Sequence, residues 1–143
     1  MLPAYREFRP PAGLGAVVAC LWENEAMQDR VQRVVPDGCL DLIWLAEREL
    51  VIAGPDTGPR LVTLPARTRS SGIRLRPGVG GAFLGLPASE VRDQQVRAEF
   101  VLGAEVGRLE ETLTRADPAF RMQLLSSVVA RREVVPDPLV LAA

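Results

Sequence analysis

The residues of this sequence that could do chemistry are concentrated between Arg33 and Trp44. Pro36-Asp37-Gly38 divides this stretch into two runs of strand-forming residues, Val31 to Val35 and Cys39 to Leu45. Proline presets a turn dihedral, aspartate bonds its own backbone and glycine accepts a positive φ, so the three together predict a hairpin or a sharp corner. A thiol and two carboxylates therefore come close together, and they can act as polar anchors for a ligand.

The second run predicts which of these groups share a face. Side chains alternate along a strand, so Cys39, Asp41 and Ile43 are expected on one face. The opposite face then carries three large apolar residues, Leu40, Leu42 and Trp44. A carboxylate beside a thiol could contact a ligand together with Asp37 from the turn. The alternative is an ordinary strand in which nearby backbone groups satisfy Asp41.

Cys20 and Trp22 are a second candidate pair, on a preceding predicted strand that runs to about Glu25. They are two residues apart and therefore share a face, where the tryptophan could stack on an aromatic ligand. If this face meets that of Cys39 and Asp41, the four residues line one pocket. Two cysteines do not complete a tetrahedral zinc site and their spacing matches no CxxC pattern, so no metal is predicted, with a low-coordinate site for a soft metal as the alternative. The alternative for both thiols is inert packing as small buried hydrophobes.

Arg74 and Arg76 lie on one face of a later predicted strand, Gly72 to Leu75, and its continuation. Two guanidinium groups on one face could bind a carboxylate or a phosphate. Alternatively, an arginine of this pair is structural and pairs with Asp37 or Asp41.

The absence of two residue types excludes several kinds of enzyme. The chain has no histidine, and all 17 of its basic residues are arginine. A His-ligated zinc, a Ser-His-Asp triad, a lysine Schiff base and a P-loop lysine are therefore excluded. We expect a protein that is not an enzyme and that uses no cofactor.

Charge and hydropathy bear on partners and location. The formal net charge is −1 and no basic run is present, so this chain by itself is a poor candidate for DNA binding. No apolar run approaches the length of a membrane-spanning helix, and the start shows no signal-peptide pattern. We expect a cytoplasmic protein without a membrane partner, in which both cysteines are reduced.

The patterning predicts an α+β domain. Residues 1–78 are β-rich, with about seven or eight strands in a small sandwich or barrel, and residues 79–133 are helical. Gly78 to Gly85 predicts a short helix or turn, and a further helix is predicted from Glu90 to about Gln95. Asp117-Pro118 predicts the N-cap and the first residue of the last helix.

The C-terminal helices are predicted to form a helical hairpin with one apolar stripe on each helix. One interpretation of the stripes is packing on the sheet, and the other is a homodimer interface. Because a single small sheet does not cover both stripes, we expect a homodimer. The candidate dimerisation residues are Leu102, Val106, Leu109, Leu113, Phe120, Leu124 and Val128.

The motif around Pro36 resembles a signature of the N-terminal domains of many AraC-type transcription regulators. Further segments resemble the same pattern and occur in the expected order. The segments are Tyr5 to Pro10, Cys20-Leu21-Trp22, Val34 to Trp44, Gly54-Pro55 and Gly72 to Gly78. The resemblance implies a cupin-like barrel that binds a small-molecule effector, dimerises through its helices and precedes a helix-turn-helix DNA-binding domain.

The resemblance also interprets the last residues of the chain. Asp137-Pro138 is a second start signal for a helix, and the sequence stops about one turn later. In AraC-type regulators such a helix opens the DNA-binding domain, so we expect residues 1–133 to be the effector-binding and dimerisation domain. Residues 134–143 would then be a linker and the start of the missing domain. The protein would bind DNA only through that domain. The alternatives are a small cupin-like enzyme and a dimerisation module without a ligand.

Overall fold

The computed structural model describes residues 5–134, apart from the side chains of Arg30 and Gln32. Within these residues, eight strands form two antiparallel sheets: a six-stranded sheet in the order β1-β2-β7-β4-β5-β8 and a two-stranded sheet of β3 and β6. The strands are β1 (Tyr5–Phe8), β2 (Val18–Ala26), β3 (Arg30–Val34), β4 (Asp41–Leu45), β5 (Glu49–Ala53), β6 (Arg60–Leu64), β7 (Thr68–Leu75) and β8 (Gln95–Arg97).

Four α-helices and one 3-10 helix accompany the sheets in the described part of the chain. They are α1 (Gly80–Leu84), the 3-10 helix Ala88–Val91, α2 (Glu99–Leu102), α3 (Val106–Arg115) and α4 (Pro118–Arg131). The predicted α+β class, a small sandwich followed by C-terminal helices, is confirmed.

Pro36-Asp37-Gly38 makes a corner between the two sheets and not a hairpin. β3 pairs with β6, and β4 pairs with β5 and β7, so the chain changes layer between Val34 and Asp41. Gly38 has a φ of 73°, which glycine adopts without strain.

The core lies between the six-stranded sheet and the helices. As the alternation predicts, Leu40, Leu42 and Trp44 point into it and are almost fully buried. Helix residues close the core from the other side, among them Phe83, Leu113, Leu125 and Val129. We call this side of the sheet the helix face and the opposite side the cavity face.

The start of α4 follows the predicted capping signal. Asp117 Oδ1 accepts a hydrogen bond of 2.8 Å from the backbone N–H of Phe120, and Pro118 is the first helical residue. The proline has no N–H to leave unsatisfied there, and the carboxylate satisfies one of the free donors of the first turn.

The region after residue 78 differs from the prediction in two places. The helix expected from Glu90 to Gln95 is wrong, because β8 follows the 3-10 helix and pairs with β5. The division into a β-rich part and a helical part at residue 78 therefore fails at β8. The predicted helix through Leu102 is interrupted at Gly103, whose φ of 97° ends α2 before α3 begins. We expected residues 134–143 to be a linker and the start of a DNA-binding domain. All of these residues after 134 lie outside the described part of the chain.

Candidate functional site

A cavity of about 310 Å³ lies between the two sheets. Its floor is the cavity face of the six-stranded sheet, and its opposite wall is the β3–β6 sheet. The corner from Val35 to Cys39 closes one side. A binding site between two layers is a common arrangement, because apolar walls and a few polar anchors meet there.

Cross-strand register explains which polar side chains meet on the floor. Arg74 of β7 lies directly opposite Cys20 on β2 and opposite Asp41 on β4. The next row pairs Trp22 with Gly72. Directly opposite residues of antiparallel strands point to the same face, so these rows place the polar groups in contact.

The Trp22 ring lies flat against β7 because position 72 has no side chain. A Cβ at Gly72 would lie 2.3 Å from Trp22 Cε2, so any larger residue would displace the ring. The indole N–H donates a hydrogen bond of 2.8 Å to Asp41 Oδ2. Tyr5 lies against the same ring with a centroid distance of 5.9 Å. The ring is thus fixed in position as part of the cavity wall.

Arg74 contacts three carboxylates, of which Asp37 and Asp41 line the cavity and Glu7 lies outside its lining. Its guanidinium lies 3.2 Å and 3.3 Å from the two oxygens of Asp41, 3.4 Å from Asp37 and 3.5 Å from Glu7. Its Nη1 also lies 3.9 Å from the sulfur of Cys20. One cation is therefore shared by more than one anion, which leaves negative charge in excess around it.

The protonation of this cluster follows from burial and charge. Desolvation raises the pKa of Asp41, and the guanidinium of Arg74 and the indole N–H of Trp22 oppose that rise only in part. Burial raises the pKa of Tyr5 to about 12, and its hydrogen bond to Glu7 adds to the rise. Desolvation is the largest single influence on the pKa of Arg74 and acts to lower it, but the charge of Asp41, its hydrogen bonds and the nearby Tyr5 and Cys20 together raise the pKa.

Both thiols are held in the protonated form. Burial raises the pKa of Cys39 to about 12, with a further contribution from the nearby charge of Asp37. Burial also raises the pKa of Cys20, and Arg74 opposes this rise. Because a nucleophile or soft-metal ligand must be a thiolate, neither cysteine is activated for such chemistry at neutral pH.

Five of the seven residues predicted to bind a ligand line the cavity: Trp22, Asp37, Cys39, Asp41 and Arg74. Cys20 lies beneath Arg74 and does not line it. Arg76 does not line it either, because the chain has left the sheet at this point and Arg76 Nε donates to the carbonyl of Gly15 at 2.7 Å. The arginine that pairs with the motif carboxylates is Arg74 and not Arg76.

Sequence reasoning missed several other wall residues. Tyr5, Asn24 and Ser70 form a third row across β1, β2 and β7. Asn24 lies two residues after Trp22 on β2, and Ser70 lies four residues before Arg74 on β7. Even spacing along a strand places both side chains on the cavity face, and this is the signal that could have found them. On the opposite wall, Arg60 contacts Asp56 at 2.7 Å.

The predicted dimerisation residues separate into two groups. Leu113 is fully buried in the core of the domain, and Val106 is almost fully buried at the base of the groove described next. Leu102, Leu109, Leu124 and Val128 line a groove of about 720 Å³ between α3 and α4. Phe120 is exposed at the start of α4.

None of the helices within residues 5–134 is long and apolar enough to cross a membrane. Over the same residues, no group of three or more His, Cys, Asp or Glu side chains is placed to hold a metal ion.

Comparison with known proteins identifies one family. Residues 6–97 match the family described as "Domain of unknown function (DUF6597)". The matched region contains β2 to β8 and every residue of the cavity lining except Tyr5, and it precedes α2, α3 and α4. No curated protein and no solved structure matches the chain. Because the match spans well over half of the 143 residues, the chain belongs to the DUF6597 family.

Proposed function

We propose that this chain is the effector-sensing and dimerisation domain of an AraC-type transcription factor that acts in the cytoplasm. A small molecule would bind between the two sheets, and its presence would be passed to a helix-turn-helix DNA-binding domain beyond this chain. The domain itself would carry out no reaction. The resemblance of the motif around Pro36 to AraC-type N-terminal domains supports the link to transcription.

The observation that carries the proposal is the cavity. Motif residues from three separate stretches, represented by Trp22, Asp41 and Arg74, line one space between two layers. Apolar residues such as Ile43 and Leu64 complete its walls. The raised pKa values of Cys20 and Cys39 favour a binding role over a catalytic one, because no activated nucleophile is provided.

Filling the cavity tests the binding role. Val62 of β6 faces the cavity, whereas its neighbour Leu61 is 72% exposed on the opposite face of the same strand. A library of small molecules is screened by thermal shift against the wild type, Val62→Trp and Leu61→Trp. We expect ligands of the wild type and of Leu61→Trp to have no effect on Val62→Trp. Equal ligand shifts in both variants would contradict binding between the sheets.

A homodimer through the C-terminal helices is the second part of the proposal. The groove between α3 and α4 has apolar walls formed by Leu109, Leu124 and Val128, which a second copy would cover. Sedimentation at tens of micromolar should show a dimer that Phe120→Glu dissociates. The control is Phe8→Glu, which changes a similarly exposed phenylalanine on β1. A wild-type monomer at this concentration would contradict dimerisation.

The link to transcription is tested on the natural gene. A coding sequence that continues beyond residue 143 into a helix-turn-helix domain is expected. This chain alone should bind promoter DNA weakly at physiological salt, because its net charge of −1 offers little counterion release. Micromolar binding by the chain alone would contradict the assignment of DNA binding to another domain.

A further inference from the structure

We infer that the cavity between the sheets takes an organic cation: a small molecule with an ammonium or amidinium group on an apolar body. The inference rests on the proposed ligand-binding function and specifies the chemistry of the ligand. It follows from three features of the same cavity, which are the charge around Arg74, the aromatic wall beside it and the apolar opposite wall.

The charge around Arg74 favours a cation. Its guanidinium is shared by Asp41, Asp37 and Glu7, so a single positive charge faces three carboxyl groups. An anionic ligand would have to displace these carboxylates from the arginine. A cationic ligand would instead neutralise the negative charge that the arginine leaves uncompensated, and charge-assisted hydrogen bonds to carboxylates are strong ones.

The aromatic wall favours the same class. The Trp22 ring has one side against Gly72 and is held in the floor by its hydrogen bond to Asp41. Tyr5 stands beside it, and both rings line the cavity. Cations are attracted to the faces of tryptophan and tyrosine rings, more strongly when water is excluded. Carboxylates next to two rings thus provide both kinds of contact that an organic ammonium group uses.

The rest of the wall fits an apolar body. Ile43 and Leu45 project from the six-stranded sheet, and Val62 and Leu64 project from the two-stranded sheet. The volume of about 310 Å³ suits a molecule with one ring and a short chain. The head group and the body would therefore occupy different parts of one cavity.

The arginines of the opposite wall are weaker anchors for an anionic ligand than the acidic end of the cavity is for a cation. Arg60 is already paired with Asp56 at 2.7 Å, and Arg33 is exposed on β3. A carboxylate ligand would need one of these two groups as its anchor. An anion would therefore bind away from Trp22, and its binding would not depend on Asp37.

Three probes with the same apolar body test the inference: 4-phenylbutylamine, 4-phenylbutan-1-ol and 4-phenylbutyrate. Their dissociation constants are measured by calorimetry on the whole chain, and amide chemical shifts locate each probe. We expect the amine to bind at least tenfold more tightly than the alcohol and the carboxylate to bind most weakly. Shifts should include the indole N–H of Trp22.

A matched pair of variants assigns the effect to the acidic end. Asp37 and Glu25 have similar side-chain exposure, 49% and 48%, and each contacts an arginine of β7. Asn at position 37 can still accept the hydrogen bond of 2.9 Å from the Cys39 N–H, so Asp37→Asn should fold. We expect Asp37→Asn to weaken the amine at least fivefold and to leave the alcohol unchanged. Glu25→Gln, outside the cavity, should change neither.

The outcomes separate the inference from the proposed function. If the alcohol or the carboxylate binds in the cavity as tightly as the amine, the cation inference is overturned and ligand binding stands. If the amine binds but Asp37→Asn and Glu25→Gln have equal effects, the acidic end does not select the ligand and the inference is also overturned. If none of the probes binds at millimolar concentration, the cation inference is overturned, and the library screen against Val62→Trp and Leu61→Trp decides separately whether the cavity binds a ligand.

Discussion

Replacing Gly72 by alanine should destabilise the domain through a single side chain, that of Trp22. A Cβ at this position would lie 2.3 Å from Cε2, 2.4 Å from Cζ2 and 2.6 Å from Nε1 of the indole. Carbon atoms pack at about 3.5–4.0 Å, so the ring has to move by more than about 1 Å. A displacement of this size breaks the hydrogen bond of 2.8 Å between Trp22 Nε1 and Asp41.

The expected loss follows from these two effects. Forcing an extra methyl group into a packed site costs about 1–3 kcal/mol. Losing a hydrogen bond to a charged group adds about 1.5–3 kcal/mol. Alanine also lowers the conformational entropy of the unfolded chain relative to glycine, and this offsets about 0.4–1 kcal/mol of the loss. The free energy of unfolding of Gly72→Ala should therefore fall by about 3 kcal/mol, a large part of the stability of an ordinary domain.

Urea unfolding followed by far-UV circular dichroism measures this change. The control is Gly107→Ala on α3, where a Cβ meets nothing within 4 Å and alanine should stabilise the helix by up to about 1 kcal/mol. In a Trp22→Ala background, Gly72→Ala should cost less than about 1 kcal/mol, because the clash is gone. A loss below 1 kcal/mol in the wild-type background, or an equal loss in both backgrounds, would refute the reasoning.

Three further predictions concern the helix cap, the buried carboxyl and the thiol. Asp117→Ala removes the acceptor for the Phe120 N–H and should lower the free energy of unfolding by about 1 kcal/mol, whereas no loss would show that the cap is dispensable. Burial raises the pKa of Asp41 above the ordinary aspartate value of 3.8, so the contribution of this group to stability is complete below pH 3.8 and is lost as the pH rises through the folded-state pKa. Asp41→Asn should therefore remove a decline in unfolding free energy between about pH 4 and the folded-state pKa, and equal slopes in variant and wild type would contradict this. With its pKa near 12, Cys39 should be alkylated by iodoacetamide at pH 8 at least about twentyfold more slowly than a free cysteine, because its small thiolate fraction outweighs the higher nucleophilicity of that thiolate; mass spectrometry follows the rate, and a rate within about threefold would argue against this environment.

Local patterns predicted the parts of the site that depend on one strand or one helix end. Alternation along β4 placed Asp41 and Cys39 on the face opposite Leu42. In the structure both residues line the cavity, and Leu42 packs in the core on the helix face. The cap at Asp117 was equally readable, since it depends on adjacent residues only.

Pairings between distant strands were not readable from the sequence. A turn signal at Pro36-Asp37-Gly38 cannot tell a hairpin from a corner, because the partner of β3 is β6, some thirty residues away. The alternation of side chains along a strand likewise assigned Arg74 and Arg76 to one face. Arg76 lies beyond the end of β7, however, and contacts Gly15 instead. Which arginine meets the carboxylates depends on where the strand ends and on its register with β4.

The two-stranded sheet has a consequence for how the domain would report a bound molecule. Among the strands of residues 5–134, β3 and β6 pair only with each other, and their outer face leaves Val31 and Leu61 exposed. Two strands alone are marginally stable, so this layer should open locally at a much lower free energy than the whole domain, and its amide hydrogens should exchange faster than those of β4 and β7. A molecule that touches Val62 and Trp22 together would bridge both layers and slow this exchange. Occupancy of the cavity would then be expressed as the rigidity of two strands, with no change in their shape.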